Sequence, residues 1–395
     1  MLFFLKRIVR KPVPGIITAV CMAVITLLIC LLNAGEAELV RRIDETYTEI
    51  KVECAVTNLT GTGDDNLNIT YRAVNLFLED PRYGSIVSEV SFLDYLENVR
   101  IRSNCNGQVG NETVTISGLN DITIARELRP EEETFISWAD GYDASVFKGS
   151  APVCVVPESL YSGEEEMEIT FVHMYEKDRT DTVTLRVAGT YRGFKNNVYC
   201  PWEVAAEEEI KLEGYIHADA LNAVFRDNYR IDEFREKCAS QYFAEVDPKG
   251  APAGTGNSSY RYALDIYDDV LERTIRGLET NKTVFAVCGM LTVAVSIGVG
   301  FVIGSIISKR NEKIFALKLV MGSEKRTIWA EVICELELFS LIGIAVAIAV
   351  SYAVTGYSPP WITVAASFAA EIAGITVVVV SVLNRDVLSL SGRKE

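Results

Sequence analysis

The side chains able to do covalent or metal chemistry are few in this chain, and their spacing does not suit such chemistry. It has two histidines, His173 and His217, and no CxxC pair beside either, which argues against a zinc site. Of nine cysteines, Cys21, Cys30, Cys288 and Cys334 sit in or at the edge of apolar runs, where cysteine serves as a small apolar residue. Cys54, Cys105, Cys154, Cys200 and Cys238 lie between those runs; Cys154 and Cys200 both end expected strands and could meet, but connectivity stays open. The run Glu164-Glu165-Glu166 reads as a solvated turn. There is no GxxxxGK[ST] to cradle phosphates, no GxSxG and no HExxH. The glycines of the Gly298–Gly304 run lie in an apolar stretch, where the Gly300/Gly304 GxxxG pair favours close helix packing. No catalysis and no cofactor of its own are expected.

What remains is physical rather than covalent chemistry, in the segment Ser308 to Glu335. It joins two long apolar runs, and its 309–326 stretch carries six Lys/Arg against Glu312 and Glu324. Helical spacing puts Ile314, Phe315, Leu317 and Met321 on one broad face, with Lys309, Arg310, Lys313 and Lys318 largely elsewhere. Gly322-Ser323 breaks the helix, and Lys325-Arg326 precedes the next apolar run. The segment is expected to be a surface-lying helix that takes up force from a cytoplasmic partner.

Four runs position this segment: 13–33, 283–307, about 328–354 and 361–383, each with the roughly 20 apolar residues a bilayer crossing needs. The first is longer than a signal-peptide core and lacks a small-x-small site before Ala34, so it reads as a retained span. Lys6, Arg7, Arg10 and Lys11 before the first run, the 309–326 loop, and Arg385, Arg393 and Lys394 after the last all place both termini in the cytoplasm. Residues 36–282 carry 25 Lys/Arg and 46 Asp/Glu, a net of −21 against −16 for the chain. Such an acidic outward segment favours solubility and argues against nucleic acid as a partner.

The expected fold is an α-helical membrane protein with four transmembrane helices and an α+β extracytoplasmic domain on a two-helix stalk between helices 1 and 2. Residues 1–33 form the first unit, 34–282 the outer domain, and 283–395 the remaining spans with a coupling loop at 308–327. The stalk is read from helical spacing at 36–49 (Leu39, Val40, Ile43, Tyr47) and at 259–282 (Tyr260, Leu264, Tyr267, Leu271, Ile275, Leu278). Between the legs, 48–57, 113–118, 153–156, 168–173, 182–191 and 196–200 read as strands, 231–246 as a helix and 249–258 as a linker. Glu371 stands about ten residues into the last run, where a carboxylate is costly unless protonated or paired. It is either a contact to a partner or cargo, or a group bonded to a neighbouring helix through Ser or Thr. Glu331, Glu335 and Glu337 lie nearer the interface, within snorkelling reach of water.

The loop resembles the signature of the FtsX-like/MacB-like permease family: a basic helix ending K-A-L-G-A-S-(K/R)-(K/R)-x-I, then a Glu and a downstream Gly. Here it reads Lys318-Leu319-Val320-Met321-Gly322-Ser323-Glu324-Lys325-Arg326-Thr327-Ile328, then Glu335 and Gly343. One extra residue separates Lys318 from Gly322, and the family's E-I-G start reads Lys313-Ile314-Phe315. The N-terminal FFLKRIVRKPVPGIIT, residues 153–160, 185–191 and 198–201, and the tail 384–390 are similar to further parts of that family.

The resemblance implies the permease subunit of a mechanotransmitting ABC transporter in a bacterial cell membrane. Two permease chains would pair, as a homo- or heterodimer. A separate ATP-binding subunit, which alone would bind ATP, would dock on Lys313, Ile314, Leu317, Lys318, Met321, Gly322, Ser323, Lys325 and Arg326. Glu335 would pack against that helix, with Glu371 a second membrane candidate. The expected function is export or extraction of a hydrophobic or peptide-like substrate. The alternative is an FtsX-like transducer regulating an extracellular partner such as a cell-wall hydrolase. A receptor or adhesion protein is a third, less favoured class.

Overall fold

The computed structural model describes residues 13–83, 90–125, 128, 136–193, 196–246 and 261–384. The chain divides into two compact units, Met1–Thr46 with Arg273–Glu395, and Tyr47–Glu272.

The first unit is built on four helices long and apolar enough to cross a membrane. They are α1 (Val13–Glu49), α4 (Asp269–Val320), α5 (Lys325–Thr355) and α6 (Trp361–Leu383). Three hydroxyls of α4 are satisfied locally: Thr292, Ser296 and Ser305 each donate to the carbonyl four residues back. Glycines let the backbones approach. A Cβ at Gly300 would lie 2.2 Å from the Glu371 carbonyl oxygen, and one at Gly374 2.2 Å from that of Ile297, so α4 and α6 cross nearly backbone to backbone. Gly343 does the same for α5 against Ala19 of α1, with 2.1 Å to its carbonyl oxygen. The Gly300/Gly304 pair thus acts in helix packing, as its spacing suggests.

The second unit is α+β. Its strands are β1 (Glu53–Thr57), β2 (Ile69–Thr70), β3 (Leu96–Val109), β4 (Glu112–Leu119), β5 (Ile136–Trp138), β6 (Val153–Pro157), β7 (Glu166–Val172), β8 (Thr180–Tyr191), β9 (Asn197–Pro201), β10 (His217–Ala218), β11 (Ala220–Phe225) and β12 (Ala263–Ile266). Ten form one sheet in the order β12-β1-β11-β3-β4-β9-β6-β8-β5, with β7 bridging β3 and β8; β2 and β10 pair separately. Most ladders are antiparallel, but β4 with β9 and β6 with β8 run parallel. Two labelled helices belong here, α2 (Tyr71–Leu78) and α3 (Trp202–Glu213). Gly214, at φ +81°, ends α3 by returning its N–H to the Ile210 carbonyl. The Ala205 methyl rests where a Gly118 side chain would be, 2.4 Å from that Cβ position, seating α3 on the sheet.

Several expectations are corrected. The stalk segment 259–282 is not one helix: Ala263–Ile266 pairs with β1 as a strand, and the helix begins only at Asp269. Leu264 alternates into the sheet instead of continuing a helical stripe. The helix over 231–246 is shorter and broken into Ile231–Phe234, a π-helical Arg235–Ala239 and Ser240–Tyr242. The linker 249–258, Tyr260, the basic N-terminal residues through Lys11 and the tail beyond Asn384 lie outside the described residues. Cys154 and Cys200 do meet: with Val155 opposite Tyr199 in the β6/β9 pair, they are cross-strand neighbours in one buried cluster. All nine cysteines are free thiols.

Candidate functional site

The loop candidates sit on a tight hairpin of α4 and α5. The helix expected to lie separately on the surface is the uninterrupted last part of α4, a single helix of 52 residues. Its C-terminus closes in a Schellman turn: Ser323 N–H donates to the Lys318 carbonyl at 3.0 Å and Gly322 N–H to that of Leu319 at 3.0 Å. Gly322 takes φ +84°, a region in which a side chain is strained. Glu324, extended, then opens α5.

The four apolar residues expected on one face divide. Phe315 is buried in a cluster with Ile328, Val332, Leu336 and Ile375. Ile314 (39%), Leu317 (59%) and Met321 (68%) stay exposed, joined by Val320 (72%). The reason is the hairpin, whose second arm covers one side of α4 and leaves the other open. Lys318 pairs with Glu331 across the hairpin. Lys325 Nζ donates to Asn384 Oδ1 at 3.1 Å. Lys313 and Arg326 are exposed, and Ser323 and Glu335 half-buried. An apolar strip beside lysines at the end of a helix is a surface that a partner can cover.

Glu371 is fully buried, and Ser340 Oγ of α5 donates to its Oε1 at 3.1 Å. That is the neighbouring-helix arrangement; no part of its side chain reaches the outside of this unit. Glu337, expected to snorkel, is instead 9% exposed, because it occupies the same inward face of α5 as Ser340. Glu371 Oε2 and both Glu337 oxygens have no hydrogen-bond partner among the described residues.

Sequence reasoning missed a polar cluster around α3, because its parts are distant in the chain. His217 Nδ1 meets Glu209, and its Nε2 lies 3.8 Å from Asp219 Oδ2, which accepts the Asn104 N–H at 2.7 Å. One turn on, Glu213 accepts from Met174 N–H at 2.6 Å and faces His173 Nε2 at 3.0 Å. Tyr175 and Glu176 N–H groups donate to His173 Nδ1, which leaves Nε2 to carry the proton toward Glu213. Both histidines therefore clasp one face of α3. Among the described residues no group of three or more His, Cys, Asp or Glu is arranged to hold a metal.

This cluster sets a pH dependence. Burial pulls His217 down, but Glu209, by hydrogen bond and charge, and Asp219 carry its pKa above the usual 6.5. Burial raises Glu209 and Asp219. A pKa raised on folding gives stability that is complete below the unfolded value and lost as pH climbs through the folded one. All three shifts therefore weaken the cluster as pH rises, and the His217 part does so above 6.5. The stability advantage of wild type over His217→Gln should shrink between about pH 6 and pH 9 in thermal melts. A flat or growing difference would contradict this assignment.

No family model matches the sequence, and no curated protein matches it. The fold is similar to the crystal structure of the periplasmic region of MacB from Actinobacillus actinomycetemcomitans, at 14% identity and a TM-score of 0.30, covering 59% of this chain and 95% of that one. It is also similar to the extracellular domain of the noncanonic ABC-type transporter YknZ from Gram-positive bacteria, at 8% identity and a TM-score of 0.28, covering 55% of this chain and 100% of that one.

Proposed function

We propose that this chain is the membrane permease subunit of an ABC-type transporter, coupling a separate ATP-binding subunit to work done by the Tyr47–Glu272 unit outside the membrane. The observation that carries the reading is the exposed strip Ile314, Leu317, Val320 and Met321 at the end of a 52-residue helix, beside Lys313 and the hairpin cations. Lys325 and Arg326 flank the turn, and Gly322 and Ser323 fix its shape. With the basic loop in the cytoplasm, motion of a docked ATPase is passed to α4 and carried along an unbroken helix. Two such chains form the transporter, and the cargo is hydrophobic or peptide-like. Both termini lie on the ATPase side, and ATP is bound by the partner.

The test is co-purification, in nanodiscs, with the ATP-binding subunits encoded beside this chain. Burying a Leu or Met side chain contributes about 1.5–3 kcal/mol, and an aspartate there adds an unpaired charge. Leu317→Asp with Met321→Asp should therefore weaken docking at least about a hundredfold. Binding that survives the double substitution refutes the docking surface; absence of any bound ATPase refutes the transporter reading.

A further inference from the structure

A lateral cleft in the helical unit has a composition that neither the hairpin nor the buried carboxylates explain. It lies among α1, α4 and the start of α6, with an open volume of about 410 Å³. Leu32, Met290, Val293 and Ile362 supply apolar walls, and Asn33 and Glu36 stand at one end. Its shape follows from two glycines. At Gly35 the Phe285 ring sits 2.8 Å from where a Cβ would be, pressing α4 against α1. One turn along α4, Gly289 has nothing within 4 Å of its Cβ position, so the wall is hollow there.

The end groups give the cleft a chemical sign. Neither Asn33 nor Glu36 has a hydrogen-bond or ion-pair partner among the described residues. Glu36 comes three residues after the apolar run 13–33, at the depth where lipid headgroups meet water. A carboxylate there attracts an ammonium group and repels a net anionic headgroup. Beside it, the Asn33 amide can donate to a phosphate or ester oxygen.

We propose that this cleft binds a phospholipid with a primary ammonium headgroup, of the phosphatidylethanolamine class. The ammonium sits on Glu36, and one acyl chain lies along Met290 and Val293. The apolar wall supplies contact with the chain but no choice among lipids, since bilayer lipids share acyl chemistry; the selectivity comes from Glu36. The site stands on this geometry alone and does not require the ATPase-coupling reading.

The full chain in nanodiscs of mixed phosphatidylethanolamine and phosphatidylglycerol, with a diazirine acyl probe on one lipid or the other, tests the site by peptide mapping. One charge-assisted hydrogen bond predicts that peptides spanning 289–293 are labelled about tenfold more by the ethanolamine probe. Glu36→Gln should remove that preference while leaving labelling near Phe301 and Val302 unchanged. Gly289→Leu fills the hollow with the carboxylate intact and should remove the labelling itself. Equal labelling by both probes, a preference that persists in Glu36→Gln, or cross-links from 289–293 to a second copy of this chain would each overturn the proposal. Unchanged labelling in Gly289→Leu would do the same.

Discussion

Gly300→Ala should abolish the folded helical unit, while Gly298→Ala, two residues away on the same helix, leaves it intact. The new methyl at Gly300 would stand 2.2 Å from the Glu371 carbonyl oxygen and 3.1 Å from its Cα. Those are backbone atoms of α6, so no rotamer change can relieve the clash and the two helices must separate. Gly374, which faces Ile297, Gly300 and Phe301 at the same crossing, blocks a compensating slide. Inside a bilayer no hydrophobic effect draws helices together; close packing itself is the attraction, and it is lost when they part. A cost of about 3 kcal/mol or more is expected, at the upper end for overpacking. At Gly298 nothing lies within 4 Å of the added atom, and alanine is the better helix former by about 1 kcal/mol. Thermal melts followed by size-exclusion chromatography in detergent separate the two. Equal melting of both variants would show that the crossing is not this close.

The second large effect belongs to the Tyr47–Glu272 unit. Phe234 is fully buried, with ring centroids 5.2 Å from Phe92, 5.2 Å from Phe225 and 5.6 Å from Tyr95. It ties the short helix at Ile231–Phe234 to β11 and to the turn before β3. Phe234→Ala leaves a cavity that three rigid rings cannot close, and should cost about 3–5 kcal/mol. Phe234→Leu, which keeps most of the volume, should cost less than half of that. Urea unfolding monitored by tryptophan emission measures both. A loss for the alanine variant below about 1 kcal/mol would mean that the ring cluster rearranges freely, contrary to the close packing of protein interiors.

Much of this fold was legible in the sequence, because the strongest signals are the longest. Four apolar runs of membrane length each become a helix, and five of the six expected strand segments fall within or close to observed strands, while 48–57 becomes strand only from Glu53, its first two residues still belonging to α1. What failed did so for local reasons. β3 reads LENVRIRSNCNGQV, too polar to suggest an interior strand; its polar groups are answered by neighbours, as when Ser117 Oγ donates to Asn104 Oδ1 at 2.7 Å. α3 was missed because its buried face includes Glu208 and Glu209 beside Ala205 and Leu212, and a carboxylate on a core face looks like solvent until its histidine is found. At the hairpin the spacing put Ile314, Phe315, Leu317 and Met321 on one face but could not tell which side of α4 the returning α5 would cover, so Phe315 was grouped with residues that stay exposed. Glu337 was placed by its distance from the end of the run, whereas its burial follows from which way α5 turns.

The Schellman turn at Gly322 also fixes the mechanical character of that end of the molecule. Between the last helical residue of α4 and the first of α5 stand four residues, and three of them, Met321, Gly322 and Ser323, return their N–H groups to α4 at 3.0 Å. The Lys318–Glu331 pair then pins the arms together from the side. There is no slack in such a link. A twist applied to the tip of α4 cannot be absorbed in the connection; it carries Lys325, Arg326 and the base of α5 with it. The hairpin is a handle and not a joint, and whatever grasps one helix there turns both.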